Sequence, residues 1–178
     1  MSQQYPNWAH DQLMREYYDH YWGFPVHDER ELFRMLTLEM FQAGLSWATI
    51  WRKQAAFDEA FANFDIQQIA SFDDQKIEQL MQNAAIIRNR RKIEATINNA
   101  RVLQKYHEMG KTLDHLLWSF VNGQPIELNA QSDTVLPAKT SLSTTIAQQL
   151  KKAGFKFTGP TTIFSLLCAV GIVNGRVK

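Results

Sequence analysis

The segment DERELFRMLTLEMFQAGLSW, residues 28–47, carries the clearest structural signal in this chain. Its apolar residues recur at intervals of three and four, which is the spacing of the buried face of an α-helix. They are Leu32, Met35, Leu36, Met40 and Ala43. Ser46 is a residue type that caps helices, and it precedes a second apolar pattern that starts at Trp47. The segment therefore predicts a helix over residues 28–43, a short turn and a further helix.

Helical spacing continues along the rest of the chain. The helix that starts at Trp47 keeps apolar residues at Ile50, Trp51, Ala55, Phe57 and Phe61. Further helices are predicted over residues 65–71, 74–83, 90–108, 112–121 and 141–153, with a last one from Gly159-Pro160 to about Gly171. No strand-like alternation or repeat is evident. The expected fold class is therefore all-α, a single compact helical domain over residues 1–178.

The composition is that of an ordinary soluble globular protein. Of the 178 residues (20.6 kDa), 45% are hydrophobic and 21% are charged. Cys168 is the sole cysteine, which excludes an intramolecular disulfide and a four-thiolate zinc site. No apolar run reaches the ~18 residues of a membrane span, and the N-terminus lacks a signal-peptide core. We expect a monomer in the cytosol of the producing cell, with no membrane partner.

Charge is divided unevenly between the two halves of the chain. Residues 1–87 contain 6 Lys and Arg against 13 Asp and Glu, whereas residues 88–178 contain 13 against 5. The net charges are −7 and +8, although the whole chain carries only +1. Such asymmetry arises by chance in many soluble proteins, and it is also typical of chains that bind nucleic acid or a membrane surface.

Glu39 is the most informative single residue. On a helix it falls inside the apolar stripe of residues 28–43, and a buried carboxylate costs several kcal/mol unless a cation or donor meets it. One interpretation is structural, a salt bridge or a cap on a neighbouring helix. The other is functional, a carboxylate at the floor of a pocket that receives a cation or a hydrogen-bond donor.

Aromatic residues are concentrated near Glu39. The segment EYYDHYWG, residues 16–23, is dense in rings, and Trp47 follows Glu39 by one short turn. Such rings are usually core residues, and we assign Trp22, Trp51 and Trp118 to the core. Beside a carboxylate, aromatic faces also suit a flat cationic ligand such as a positively charged nucleobase.

A basic segment joins two predicted helices at residues 82–92, QNAAIIRNRRK. It holds four basic residues within five positions: Arg88, Arg90, Arg91 and Lys92. A helix that begins after a short loop presents backbone N–H groups to a phosphate, and nearby cations attract the DNA backbone. The alternative is a solvated run of charges at a turn.

Taken in order, these pieces resemble the DNA-3-methyladenine glycosylase I family of the helix-hairpin-helix superfamily of base-excision repair enzymes. The resemblance covers nearly the whole chain, and the run E-x-x-Q-A-G-L-S-W at 39–47 is its most specific part. The other matching stretches are Tyr17 with Trp22-Gly23, IIRNR at 86–90, LWSFVN at 117–122, KAGFKF at 152–157, GPTT at 159–162 and GIVN at 171–174.

The resemblance implies a base-binding pocket. Glu39 and Tyr17 would hydrogen-bond the excised base, with Glu39 as the catalytic residue. Trp47 would stack on the base, and Trp8 would stand at the edge of the pocket. The implied reaction is hydrolysis of the N-glycosidic bond of 3-methyladenine, without strand cleavage, after the base is flipped out of the duplex.

The resemblance also implies how DNA is held. Gly44 and Leu45 would press into the stacked bases. A helix-hairpin-helix element at about 74–108 would hold the phosphate backbone through Arg88, Arg90, Arg91 and Lys92. The expected partners are alkylated double-stranded DNA and, as product, free 3-methyladenine.

Two departures from the family leave alternatives open. Many members bind a structural zinc, but the corresponding positions hold Pro6, Tyr18 and Arg176, and the sequence stops at Lys178 before the last ligand. We therefore predict no metal and no cofactor, with the termini joined by aromatic packing of Trp8 and Tyr18 or left to fray.

The hairpin departs as well, because Ala85 and Arg91 stand where the family often has glycines. Together with the missing zinc ligands, this keeps open a DNA- or nucleobase-binding module that has lost turnover. A glycosylase with shifted alkyl-base specificity is the third interpretation.

Overall fold

The computed structural model describes residues 4–178, and within them the chain is built from α-helices. Their bounds are α1 Gln12–His20, α2 Glu29–Gln42, α3 Trp47–Arg52, α4 Gln54–Ala60, α5 Ile66–Ala70, α6 Asp74–Met81, α7 Arg90–Glu108, α8 Leu113–Ser119, α9 Ser141–Ala153 and α10 Pro160–Ala169. A 3₁₀ turn at Ala62–Phe64 follows α4. The prediction of an all-α fold is confirmed. None of the helices among these residues is long and apolar enough to cross a membrane.

The helix that carries Glu39 begins and ends close to its predicted bounds. The Asp28 side chain accepts a hydrogen bond from the Glu31 backbone N–H at 2.8 Å, which caps the start of α2. Ser46 caps α3 in the same way by accepting from the Thr49 N–H at 3.2 Å. These caps fix where the two helices begin. The turn between them runs from the end of α2 at Gln42 to the Ser46 cap of α3.

The sequence predicted one helix from Trp47 through Phe61, and this prediction is wrong in detail. The structure divides it at Lys53, where φ is −97° and ψ is 4°. The Lys53 N–H bonds to the carbonyl of Ile50, which tightens the last turn of α3. The apolar spacing survives the break because α3 and α4 continue to face the same core.

Two elements lie outside the sequence predictions. We predicted no helix at residues 12–20, yet α1 forms there, capped by Asp11, whose side chain accepts from the Met14 N–H. We also found no strands, whereas β1 (Ile126–Glu127) pairs in parallel with β2 (Val173–Asn174). A two-residue strand has too few positions to show alternation, so its pairing depends on the tertiary fold.

The core forms where α10 packs against α2 and α9, and where α5 and α6 pack along α7. A group of fully buried phenylalanines fills the space beside α2: Phe33, Phe41, Phe57, Phe61 and Phe64. This packing holds α2 between the phenylalanine cluster and α10. Glu39 consequently lies at the face where α2 meets α10.

The C-terminal segment is fastened to the end of α1 through Arg176. The Arg176 guanidinium lies over the rings of Tyr18 and Phe24, 4.1 and 4.3 Å from their centroids. It also donates hydrogen bonds to the carbonyls of Tyr18 and Trp22, each at 2.6 Å. Gly23 allows this approach, because a Cβ atom there would lie 2.7 Å from Arg176 Cγ. The contacts include the Tyr18 packing that we predicted, with an arginine as the central group.

Candidate active site

A mostly apolar cavity of about 450 Å³ opens between α1, α2, α3 and α10. Met14 and Tyr17 of α1 form one wall and Glu39 of α2 lies within it. Trp8 of the N-terminal segment and the loop residues Leu136–Ala138 complete the enclosure. A cavity of this size, apolar with a few polar groups, is typical of a small-molecule binding site.

Glu39 is the buried acid of this cavity. Only 5% of its surface is exposed, and burial raises its pKa from 4.5 to about 8. Within residues 4–178, no cation or hydrogen-bond donor is paired with its carboxyl group. The structural interpretation, a salt bridge or helix cap, is therefore wrong for the described part of the chain. The side chain is left to meet a ligand.

Two protonated groups surround Glu39. Burial raises the pKa of Tyr17 well above its usual value, and the negative charge of Glu39 raises it further. The same two causes raise the pKa of the Cys168 thiol to about 12. Tyr17 is thus a neutral O–H donor at physiological pH. Cys168 is a buried neutral thiol, so it serves as a small hydrophobic wall residue rather than as a nucleophile.

Besides Phe164 of α10, four aromatic rings line the same space. The Trp47 ring lies 5.4 Å from that of Tyr17, and the Trp8 ring lies 6.1 Å from it. Trp8 also meets Trp22 edge to face at 5.2 Å. Trp22 is buried, as expected of a core residue, and it also forms part of the cavity wall. This second role of Trp22 was not predicted from the sequence.

Trp47 has a polar feature besides its ring. Its indole Nε1–H is buried and has no hydrogen-bond partner among the described residues. An unsatisfied buried donor is uncommon in a folded protein because it costs ~1–3 kcal/mol. Trp47 therefore offers a ligand both an aromatic face and an unused N–H group.

The turn between α2 and α3 forms the rim of the cavity. Gly44 has φ of +84°, a left-handed conformation that ends α2 at little cost. The Leu45 N–H bonds to the Gln42 carbonyl at 2.7 Å, and the Gln42 side-chain amide donates to the Leu45 carbonyl at 2.6 Å. The Leu45 side chain is 38% exposed. The sequence-predicted pair Gly44 and Leu45 thus forms a fixed turn with an apolar side chain at its tip.

Helices α6 and α7 and the loop 82–89 form a hairpin at the predicted place. Ile86 is buried and anchors the loop, while Asn89 caps α7 by accepting from a backbone N–H. Arg90 of α7 pairs with Glu78 of α6 and with Glu94 one turn further along α7. The exposed Arg88 carries no ion pair among the described residues.

Arg91 and Lys92 follow each other in α7 but differ sharply in environment. Arg91 is exposed, and its guanidinium lies 5.7 Å from the centroid of the Phe157 ring. Lys92 is buried, and its ammonium donates to the carbonyls of Phe41 and Ala43 at 3.1 and 3.2 Å. The predicted DNA-binding role of Lys92 requires an exposed ammonium, so the structure separates Lys92 from the arginines of the hairpin.

The α10 wall was not predicted from the sequence. Thr161, Phe164, Ser165 and Cys168 line the cavity, and they follow the three- and four-residue spacing of one helix face. The signal that could have found them is the presence of polar Ser165 on an otherwise apolar face. The 136–138 wall left no such signal, because its loop conformation depends on long-range packing.

Comparison with known proteins agrees with this geometry. The sequence pattern of the methyladenine glycosylase family matches residues 8–178. This chain belongs to the methyladenine glycosylase family. It is 40% identical over 169 residues to DNA-3-methyladenine glycosylase 1 of Escherichia coli K12, covering 95% of this chain and 90% of that protein. The DNA-3-methyladenine glycosylase of Haemophilus influenzae is 37% identical over 172 residues, covering 96% and 93%.

Solved structures of methyladenine glycosylases share the fold. A crystal structure of 3-methyladenine DNA glycosylase I superposes with a TM-score of 0.94 at 40% identity, covering 99% of this chain and 97% of that one. A Staphylococcus aureus glycosylase, solved to explain its recognition of 3-methyladenine, gives a TM-score of 0.90 at 37% identity, covering 95% and 90%. The family resemblance and the helical fold are thus confirmed.

The structural zinc of many methyladenine glycosylases does not fit the residues present here. Tyr18 is buried and its hydroxyl oxygen accepts from the Val177 N–H, while the Arg176 cation occupies the adjoining space. A guanidinium and a bonded phenol are not zinc ligands. Among residues 4–178, no group of three or more His, Cys, Asp or Glu side chains is placed to hold a metal ion. The absence of zinc remains a prediction.

Proposed function

We propose that this protein excises 3-methyladenine from alkylated double-stranded DNA by hydrolysing the N-glycosidic bond. The observation that carries the proposal is the unpaired carboxyl group of Glu39 inside an aromatic cavity. Membership in the methyladenine glycosylase family supports it, because curated relatives along nearly the whole chain are named DNA-3-methyladenine glycosylases.

Selectivity for the damaged base follows from charge. A 3-methyladenine nucleotide carries a positive charge, and an unmodified adenine does not. The cation favours the ionised form of Glu39, whose pKa is otherwise raised by burial, so the two charges stabilise each other away from water. Tyr17 adds a neutral hydroxyl donor beside the carboxylate. A neutral adenine in the same place would leave a buried carboxyl group without a charged partner.

The rings provide the second component of recognition. A flipped base would stack on Trp47, with Trp8 at the edge of the pocket and Trp22 in the wall. Stacking of a base on an aromatic side chain contributes ~1–3 kcal/mol, and a cationic base adds cation–π attraction. These contributions offset the few kcal/mol that flipping the base out of the duplex costs.

The chemical step needs little acid assistance. When the C1′–N9 bond breaks, its electron pair goes to the base, which leaves as neutral 3-methyladenine. The deoxyribose becomes an oxocarbenium-like cation until water adds at C1′ and loses a proton. Glu39 binds and orients the base in this reaction. None of the described residues that line the cavity is a lysine, so no amine is placed for a Schiff base and strand cleavage is not expected.

DNA would be held by the turn and the hairpin. Leu45, exposed at the tip of the 42–46 turn, would fill the gap that the flipped base leaves. The α7 N-terminus and the exposed Arg88 and Arg91 would contact phosphates. Arg90 is paired with acidic neighbours and would contribute less.

The test is base release from methylated duplex DNA, separated by chromatography, for wild type and for Glu39→Gln. We expect wild type to release 3-methyladenine and Glu39→Gln to lose most of the rate. Glu59→Gln is the matched control, because Glu59 is an exposed carboxylate of α4 outside the cavity. It should behave as wild type.

Other outcomes select between the remaining interpretations. DNA binding with no release of any base would contradict the proposed hydrolysis and indicate a binding module. Release of a different alkylated base would indicate a glycosylase of shifted specificity. Equal activity of Glu39→Gln and wild type would show that the Glu39 carboxylate is not needed for base release.

A further inference from the structure

Lys92 joins two parts of the molecule that the proposed function uses separately. Its backbone lies in the first turn of α7, where its N–H donates to the Asn89 cap. Its ammonium reaches the carbonyls of Phe41 and Ala43 at the end of α2. We propose that Lys92 is a positioning residue that couples the DNA-binding hairpin to the 42–46 turn. The proposal rests on the proposed function, which assigns the hairpin to phosphates and the turn to the base stack.

The environment of Lys92 differs from that of a phosphate-binding lysine. Only 7% of its surface is exposed, and its charge is directed into the protein. Burial lowers its pKa, which reflects the cost of removing the ammonium from water. The two carbonyl hydrogen bonds offset this cost, and the negative end of the α2 dipole adds to them.

The two carbonyl acceptors of Lys92 lie on either side of Gln42, in the segment that leads from Glu39 to the 42–46 turn. Phe41 follows Glu39 by two residues, and Ala43 precedes Gly44 directly. Between them, Gln42 lines the cavity and bonds to Leu45. The ammonium thus holds the backbone immediately before the turn, and through it the position of the exposed Leu45 side chain.

A second lysine makes a parallel connection. Lys53, at the junction of α3 and α4, donates to the carbonyl of Ala85 in the hairpin loop at 3.2 Å. The hairpin is therefore tied to the segment 41–53 at both ends, by Lys92 before the turn and by Lys53 after α3. A phosphate that fixes the position of the hairpin would, through these lysine contacts, also fix the positions of Leu45 and Trp47 relative to the DNA.

The experiment compares Lys92→Met, which keeps the length of the side chain and removes its donors, with Lys105→Met and Arg91→Gln. Lys105 is exposed on the same helix and makes no side-chain hydrogen bond or ion pair with the described residues, so Lys105→Met should match wild type. The duplex carries 2-aminopurine beside an uncleavable abasic-site analogue, and its fluorescence reports unstacking by the turn. This readout needs no turnover.

For Lys92→Met we expect a fluorescence rise at saturating protein that is well below that of wild type. The salt dependence of DNA affinity should be unchanged, because a buried ammonium releases no counterions. In parallel, the single-turnover rate of base release should fall about tenfold, as expected for the loss of a charged hydrogen bond. Arg91→Gln should instead reduce the salt dependence.

A reduced salt dependence for Lys92→Met, with normal fluorescence at saturation, would overturn the proposal and make Lys92 a phosphate ligand. If Lys92→Met does not fold, Lys92→Gln keeps a neutral NH₂ donor group and should show an intermediate fluorescence rise; a normal rise in that folded variant also overturns the proposal. Failure of wild type to release base would refute the proposed function alone, since the fluorescence comparison stands without it.

Discussion

The Arg176 guanidinium carbon lies 4.1 Å from the centroid of the Tyr18 ring, which fixes the end of the chain to α1. Tyr18 in turn lies 5.7 Å from Trp8 and 5.7 Å from Trp22, and both tryptophans line the cavity. The Arg176 guanidinium therefore does not line the cavity itself but contacts Tyr18, which packs against the wall. It holds the wall that Trp8 and Trp22 form.

Replacing Arg176 should destabilise the fold without a metal being involved. Arg176→Met removes two hydrogen bonds from a charged donor and two ring contacts, so we expect a loss of ~2–4 kcal/mol in the free energy of unfolding. Thermal denaturation measures it. Lys178→Met is the control, since Lys178 is half exposed and its ion pair with Glu127 lies at the surface. Equal stability of Arg176→Met and wild type would contradict the role of this contact.

Metal removal should have no effect. Because Tyr18 and Arg176 do not provide zinc ligands, the melting temperature of wild type should be the same with and without a strong chelator. Elemental analysis of the purified protein should find zinc well below one atom per chain. Stoichiometric zinc would show that this prediction is wrong.

Glu39 should make stability depend on pH. The folded carboxyl group keeps its proton up to about pH 8, whereas the unfolded chain loses it near 4.5. Between these values the folded state binds more protons, so this group makes stability fall as pH rises, by no more than about 5 kcal/mol in total. Glu39→Gln lacks the effect. Its stability relative to wild type should increase from pH 5 to pH 8 and level off above, as measured by urea denaturation.

The exposed Glu59 provides the comparison for this pH series. Glu59→Gln should leave the difference from wild type constant across the same range, because Glu59 is exposed on α4 and lies outside the cavity. A constant difference for Glu39→Gln as well would mean that Glu39 is ionised in the free protein.

Tyr17 should matter for catalysis and not for folding. Its hydroxyl group makes no hydrogen bond to the described residues, so Tyr17→Phe should change stability by less than about 1 kcal/mol. The rate of base release should fall about tenfold, because the base loses a donor beside Glu39. Tyr21→Phe is the control on the same helix end, since Tyr21 stacks near Tyr17 but is 48% exposed and outside the cavity. Similar rates for both variants would exclude Tyr17 from recognition.

Variants of Trp47 and Trp118 should distinguish an effect on base binding from an effect on folding. Trp47→Leu should weaken binding of free 3-methyladenine by about tenfold or more through the loss of stacking. Trp118 is buried, donates its indole N–H to the Val26 carbonyl and does not line the cavity. Trp118→Leu should therefore lower the melting temperature and leave base affinity intact. Isothermal titration calorimetry tests both, and a tight-binding Trp47→Leu would contradict the stacking role.

The exposed arginines of the hairpin should set the salt dependence of DNA binding. The pair Arg88→Gln and Arg91→Gln should lower the slope of log affinity against log salt by about two, with base affinity unchanged. Arg30→Gln removes an exposed arginine near Asp65, at the N-terminus of α2, and should not alter the slope. An unchanged slope in the double variant would place the DNA surface elsewhere.

Much of the fold was predictable because its signals are local. Asp28 and Ser46 cap the helices that flank the site, and apolar spacing located most of the others within a few residues. The break at Lys53 was missed because the apolar spacing continues across it, and the pairing of β1 with β2 was missed because it depends on contacts between distant segments. Local periodicity contains no information about such contacts.

The site was predictable in part for the same reason. Glu39 was conspicuous because a carboxylate in an apolar stripe contradicts the local pattern. Lys92 was misinterpreted because its neighbours are exposed arginines, and no local feature shows that its side chain crosses to α2. The α10 wall was missed because Ser165 and Cys168 are small residues that suit a core as well as a cavity.

The α10 wall also sets when the pocket can exist during synthesis. Synthesis runs from the N-terminus, so α2 leaves the ribosome well before α10 and has no partner on that side until α10 follows. A nascent chain without α10 exposes the apolar stripe around Glu39 and has no enclosed space for a base. A chain truncated before α10 should therefore have neither an enclosed cavity beside Glu39 nor a covered α2 face on that side.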